Sequence, residues 1–169
     1  MLKIINDLRP FFEDCYRRIN VREYAKITRI SPPTASKLLE YYTSEGLILK
    51  EAYKNYLLYH ANNESRNFVD LSRIYWRLEL AGLVSYIEKE LTNPVIILFG
   101  SLAKAEVKND SDVDLAIFAG KKELNADKFE EGLNRKIQFF WFGSLDEIKS
   151  KGLTNNITNG YILSGRLQT

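Results

Sequence analysis

The chain has 169 residues, 45% hydrophobic and 27% charged, with a formal net charge of +2. That size allows one ordinary domain or two small ones, with enough apolar content for packed cores. A single cysteine (Cys15) and a single histidine (His60) exclude a disulfide framework and speak against a zinc site, and no run is long and apolar enough to span a membrane. Residues 1–90 carry 14 basic and 12 acidic side chains and residues 91–169 carry 10 and 10, so any basic character is local. The start lacks a secretory pattern, and a reducing, cytoplasmic setting is expected.

In chain order, Cys15 falls in an amphipathic segment and is expected in the core. Apolar spacing predicts a helix over Val21–Ile27, then a turn at Arg29-Ile30. Ser31 has the chemistry of an N-cap and Pro32 suits the first helical position, so a second helix is predicted over Pro32–Ser44. It places Ala35, Leu38, Leu39 and Tyr42 on one face and leaves Pro33, Thr34, Ser36, Lys37 and Tyr41 outside, with Gly46 ending it. Leu47–Lys50 and Tyr56–Ala61, joined by residues 51–55, read as a β-hairpin. Between Cys15 and Leu39 stand Arg17, Arg18, Arg22, Lys26, Arg29 and Lys37 against Glu23 alone, a local +5.

Helix, turn, helix and hairpin, with the stretch SPPTASKLLEYYTSEGLI, resemble the winged helix-turn-helix regulators of archaea and bacteria. The resemblance implies duplex DNA as a partner, with Thr34, Ser36 and Lys37 nearest the bases in the major groove. Arg29 and Lys54 complete the expected DNA-binding set. A winged helix used only for protein contacts or dimerisation stays open.

From Phe68 to Leu91 apolar residues recur at Leu71, Ile74, Tyr75, Leu78, Ala81, Val84, Ile87 and Leu91, which predicts one long amphipathic helix ended by Asn93-Pro94. It is expected to pack on the following domain and to offer a seam for a homodimer. The domain reading is 1–66 and 67–169, with this helix as the link.

The most informative run is Leu98–Phe118, LFGSLAKAEVKNDSDVDLAIF. An apolar strand enters Gly100-Ser101, and a second one carries Asp112 and Asp114, which alternation puts on one face. Two close carboxylates raise one another's pKa unless a cation sits between them. Hard oxygens of this kind suit Mg²⁺ or Mn²⁺ sharing its sphere with phosphates. Glycine and exposed backbone N–H groups suit the phosphates themselves.

Gly-Ser, a ten-residue spacer and Asp-x-Asp resemble the polymerase-β-like nucleotidyltransferase superfamily, most closely its small stand-alone members, over roughly residues 93–142. The resemblance implies an α+β fold: a winged helix-turn-helix followed by a small mixed-sheet nucleotidyltransferase-like domain. It implies transfer of a nucleoside monophosphate from an NTP, with Gly100, Ser101 and Lys104 on the triphosphate. Asp112 and Asp114 would be the catalytic and metal-binding pair. Active relatives carry a third carboxylate on a later strand. The matching stretch here, Lys136–Phe142, has none, and Lys136 or Gln138 stands in its place; Glu106 and Asp110 are the nearest other acids. After it, Ser144-Leu145-Asp146-Glu147 reads as a capping box, Gly152–Ile157 as helical and Tyr161–Leu163 as β-like.

Three readings follow from the resemblances: an active transferase guided by its winged helix; a DNA-binding regulator whose second domain holds a nucleotide without turnover; and an antitoxin-like module paired with a helical HEPN-type protein.

Overall fold

The structure, a computed structural model, describes residues 2–167. These divide into two compact units: residues up to Tyr75 with Ala105–Asn109, and Trp76–Lys104 with Asp110 onward.

The first unit begins with α1 (Lys3–Glu13), an element not expected from the sequence. Its Ile5, Leu8, Phe11 and Phe12 are fully buried. Phe12 lies 5.1 Å from Phe68 and 5.4 Å from Tyr75, ring centre to ring centre. α2 (Val21–Thr28) opens on a capping box, also unexpected: Asn20 accepts from the Arg22 and Glu23 N–H groups, and Glu23 accepts from the Asn20 N–H. It ends at Arg29 in the left-handed region (φ 56°). α3 (Pro32–Ser44) starts where expected, with Ser31 accepting from the Thr34 N–H, and Gly46 (φ 69°) follows its end. Ala35, Leu39 and Tyr42 are buried, while Pro33, Thr34, Lys37 and Tyr41 are exposed. The hairpin is longer than expected. β1 (Ile48–Tyr53) and β2 (Tyr56–Ala61) pair antiparallel, so residues 51–53 are strand and only Lys54-Asn55 turn, with Lys54 at φ 53°. Buried hydroxyls find partners: Tyr24 donates to the Asp7 carbonyl, Tyr42 to the Asp7 carboxylate and Tyr59 to Glu40.

The expected single helix over 68–91 is two. α4 (Arg66–Glu79) and α5 (Ala81–Glu90) are separated by Leu80, at φ −86° and ψ −1°. Helical hydrogen bonds still cross the interruption, from the Leu80 N–H to the Trp76 carbonyl and from the Val84 N–H to the Leu80 carbonyl, both at 2.9 Å. The dimer-seam stripe is divided at Leu80, with Tyr75 buried and Ile74 and Leu78 exposed.

The second unit holds a mixed four-stranded sheet in the order β5-β4-β3-β6. β3 (Val95–Phe99) pairs antiparallel with β4 (Val113–Phe118) and with β6 (Tyr161–Ser164), while β4 and β5 (Ile137–Phe142) run parallel. A parallel pair needs a crossover, and α7 (Asp127–Leu133) lies in that connection. One face buries Ile97, Phe99, Ala116 and Phe118 with Ile148 and Ile157, and Phe140 and Phe142 pack against them. By alternation Ile96, Leu98, Leu115 and Ile117 face the other way, and they too are buried. α8 (Lys151–Thr158) is capped by Ser150. The expected capping box at Ser144 does not form: Glu147 accepts from the Gly143 N–H instead, and Leu145–Glu147 is a 3₁₀ turn. The mixed α+β architecture expected for this half is the one found.

Candidate functional site

β3 delivers the chain to Gly100 at its end. There the backbone takes φ 72°, a conformation open to glycine and strained for other residues. The chain turns into α6 (Gly100–Lys104), which buries Leu102 and Ala103 and leaves Ser101 half-exposed. The register sets Phe99 opposite Asp114, so the glycine lies against that carboxylate. A Cβ at position 100 would overlap the Asp114 carboxylate oxygen. The glycine is therefore required twice, by its φ and by this close approach.

Asp114 shares its face of β4 with Ala116 and Phe118, at the edge of the buried cluster. Asp112, two residues earlier, continues that side toward solvent. Burial, then the neighbouring Asp112 charge, pushes the Asp114 carboxyl above its ordinary value. The two acids thus form the like-charge pair that the spacing predicted.

The register also resolves which residue takes the third place. Gln138 is opposite Asp114 on β5, and its amide donates to the Asp112 carboxylate at 2.6 Å. Lys136 turns away to Glu130 at 2.8 Å, and that contact holds its ammonium above the usual lysine value. A neutral amide, not a lysine, adjoins the acid pair.

Lys104 lies at the end of α6 and donates to Asn156 of α8 at 2.8 Å. The spacer between Ser101 and Asp112 is no free loop. Its residues 105–109 belong to the first unit, where Val107 is fully buried and its carbonyl accepts from the Cys15 N–H at 2.8 Å. The signal for this was the apolar Ala105 and Val107 inside an otherwise polar stretch.

Two carboxylates on one face fit a single divalent ion of the Mg²⁺ kind, which takes one or two carboxylates and completes its sphere with water and phosphate. The raised pKa of Asp114 is the electrostatic tension a bound cation would relieve. Among the described residues no group of three His, Cys, Asp or Glu side chains could hold a metal.

Of the DNA-facing candidates, Arg29 is exposed at the left-handed turn and Lys37 is exposed on α3. Ser36 is half-buried, and the Thr34 hydroxyl is hydrogen-bonded to that of Ser31 at 2.8 Å. Lys54 sits at the hairpin turn with its ammonium 5.4 Å from the Tyr53 ring centre. Arg18, one of the +5 cluster, is paired with Glu51 at 2.6 Å.

Residues 83–159 match the family model described as Polymerase beta, Nucleotidyltransferase. That span runs from α5 to the end of α8 and contains Gly100, Ser101, Asp112, Asp114 and Gln138. It supports the polymerase-β-like reading of the second unit and a nucleotidyltransferase activity at this level. No curated protein and no solved structure gives a significant match to the chain.

Proposed function

We propose that the second unit is a nucleotidyltransferase site that binds an NTP with one divalent ion, and that the first unit binds duplex DNA. The observation that carries the first part is the Asp112–Asp114 pair beside a left-handed glycine at which a Cβ would overlap the Asp114 carboxylate.

In this reading Asp112 and Asp114 hold the ion, which when bound supplies positive charge for the triphosphate and the departing pyrophosphate. Gly100 lets the backbone approach the phosphates, and its exposed N–H neighbours with the Ser101 hydroxyl bind and orient them. Lys104 adds a point charge once it exchanges Asn156 for phosphate. Transfer joins an acceptor oxygen to the α-phosphorus, releases pyrophosphate and requires the acceptor's proton to leave. Gln138 cannot take that proton, because a carboxamide is not basic near neutrality. Its amide instead restrains Asp112.

That observation favours a second reading: a DNA-binding regulator that holds a nucleotide with little or no turnover. The α2–turn–α3 unit with its hairpin has the order of a winged helix-turn-helix. Arg29 and Lys37 lie exposed where backbone phosphates and bases would be met. No feature of the fold favours the HEPN-type partner over these two readings.

Calorimetry with Mg²⁺ and NTP tests the shared part. Binding should be seen in the wild type and abolished in Asp112→Asn; equal affinity in both would remove the site assignment. Single-turnover pyrophosphate release then separates transferase from regulator.

A further inference from the structure

We propose that Arg135 is the positioning residue of the acid pair: it fixes the chain at Ser111 and so sets where Asp112 presents its carboxylate to a cation. The inference rests on the proposed cation site and adds to it a residue that acts through the backbone and not by ligation.

Asp112 stands just before β4, and the β4–β5 ladder begins with Val113 opposite Ile137. The ladder therefore does not itself hold the first acid, whose carboxylate needs other restraints to stay near that of Asp114. Residues 135–138 supply three. The Arg135 guanidinium donates to the Ser111 carbonyl at 2.7 Å. The Val113 N–H donates to the Lys136 carbonyl at 2.8 Å. The Gln138 amide donates to the Asp112 carboxylate at 2.6 Å. The residue before the acid, the residue after it and the acid itself are each tied to one short segment.

That segment is itself anchored. Asn134, at φ 51°, ends α7, and Glu130 then holds the three residues that follow. The Glu130 carbonyl accepts from the Arg135 N–H at 3.2 Å, and its carboxylate accepts from the Ile137 N–H at 2.9 Å and from the Lys136 ammonium at 2.8 Å. The guanidinium has a second support in the buried Trp76, whose ring centre lies 5.2 Å from it. All of these residues belong to the second unit.

Arginine suits this task for a physical reason. A planar fork stacked on a ring has a fixed direction, which the flexible ammonium of lysine lacks. Groups that orient a metal ligand from behind change metal affinity by about 10–100-fold when they are lost. Charge alone predicts the opposite sign. Deleting a positive side chain near two carboxylates leaves a more negative field, and that field favours a cation. Positioning and electrostatics therefore make opposite predictions at Arg135.

The test uses the full chain and Mn²⁺ alone, with binding read from water-proton relaxation, in the wild type, Arg135→Met and Arg135→Lys. Methionine keeps an unbranched apolar stem against Trp76 and removes both charge and donor. Arg135→Met should bind Mn²⁺ at least tenfold more weakly than the wild type, and Arg135→Lys, which keeps the charge without the fork, should fall between them. In the metal-free variants, still folded by circular dichroism, the nuclear magnetic resonance signals of the Gln138 carboxamide and the Asp112 amide should move, which a loss of global stability alone does not produce. If Arg135→Met does not fold, Arg135→Lys carries the same reading. A wild type that binds Mn²⁺ beside an Arg135→Met that binds it equally or more tightly overturns this proposal and leaves the cation site standing. So does an Arg135→Lys equal to the wild type, or a Gln138 carboxamide signal that neither variant moves. A wild type that binds no Mn²⁺ removes the cation site itself, and this proposal with it.

Discussion

Replacing Gln138 by glutamate is the most informative single change. The substitution keeps the side-chain length and turns the amide nitrogen that now donates to Asp112 at 2.6 Å into a carboxylate oxygen. The hydrogen bond disappears, and a third negative charge joins Asp112 and Asp114 on one face. Two unit charges about 4 Å apart repel by ~1 kcal/mol in water and by ~4 kcal/mol at an effective dielectric near 20. Gln138 is exposed, so the lower end applies. A destabilisation of ~1–2 kcal/mol in a domain of this size lowers Tm by roughly 3–8 °C without a divalent ion. Added Mg²⁺ or Mn²⁺ should reverse it, because three carboxylates then surround a cation and not one another. A base is also introduced beside the site, and positioned bases contribute about 10²–10⁴-fold to rate. Pyrophosphate release from each NTP, with and without Mn²⁺, measures that increase, and calorimetric melting measures the stability arm. A wild type that already matches the variant's turnover would refute the argument that Gln138 limits chemistry. A variant whose Tm ignores the metal would refute the placement of residue 138 beside the acid pair.

Four further outcomes are expected. Gly100→Ala should lower stability by about 1–3 kcal/mol, since it combines a positive φ with an overlap on the Asp114 carboxylate; chemical denaturation reads this directly. Asp114→Asn should raise the Tm of the metal-free protein near neutral pH while abolishing Mg²⁺-dependent NTP binding, because it removes a buried charge that a neighbouring acid opposes. The raised Asp114 pKa also sets a pH dependence. This group's contribution to metal-free stability is fully present below the unfolded-state pKa and disappears as pH rises through the folded one, so the wild type should lose more stability than Asp114→Asn across that interval. In gel shifts on duplex DNA, Arg29→Ala and Lys37→Ala should each weaken binding. Removing one phosphate-neutralising charge should reduce the slope of log K against log salt by roughly 0.9; absence of any retarded duplex at low salt would assign the first unit another role.

Much of this was legible in the sequence because the decisive signals are local. Ser31-Pro32 starts α3 and Gly46 follows its end, as their chemistry predicts, since caps depend on a few adjacent residues. Asp112, just before β4, and Asp114 lie near one another as alternation predicts, with Gln138 opposite Asp114 and bonded to Asp112. The failures lie where the cause is distant in sequence. The long helix is divided at Leu80, an apolar residue in an unbroken apolar stripe, and no local pattern announces that division. The choice between Lys136 and Gln138 depended on the β4–β5 register, which pairing decides. The spacer's membership of the first unit depends on Val107 and Cys15, more than ninety residues apart. α1 escapes a sequence reading for a different reason: its Ile5, Leu8, Phe11 and Phe12 are at helical spacing, but no capping residue marks its start and Pro10 interrupts the pattern.

The case for function at the acid pair is strongest where the fold departs from local consistency. In the first unit three tyrosine hydroxyls reach Asp7 or Glu40, and Glu40 is in turn paired with Lys50, while the buried Ser72 hydroxyl has no partner among the described residues. Burial and these acceptors push all three phenols to high pKa, as expected for groups held as donors. In the second unit several departures meet at one end of the sheet. A left-handed glycine and two neighbouring carboxylates, of which the half-buried Asp114 has a raised pKa, lie at the ends of β3 and β4. A sequence selected only for stability would fill these places with residues that neither repel nor strain. Their presence together, in a sheet whose other inward positions are apolar, is what the proposed cation and phosphate site rests on. Gln138 modifies the proposed site without supplying the charge of a cation. It donates one hydrogen bond to Asp112 and contributes no positive charge, so the repulsion on Asp114 remains for a ligand to relieve.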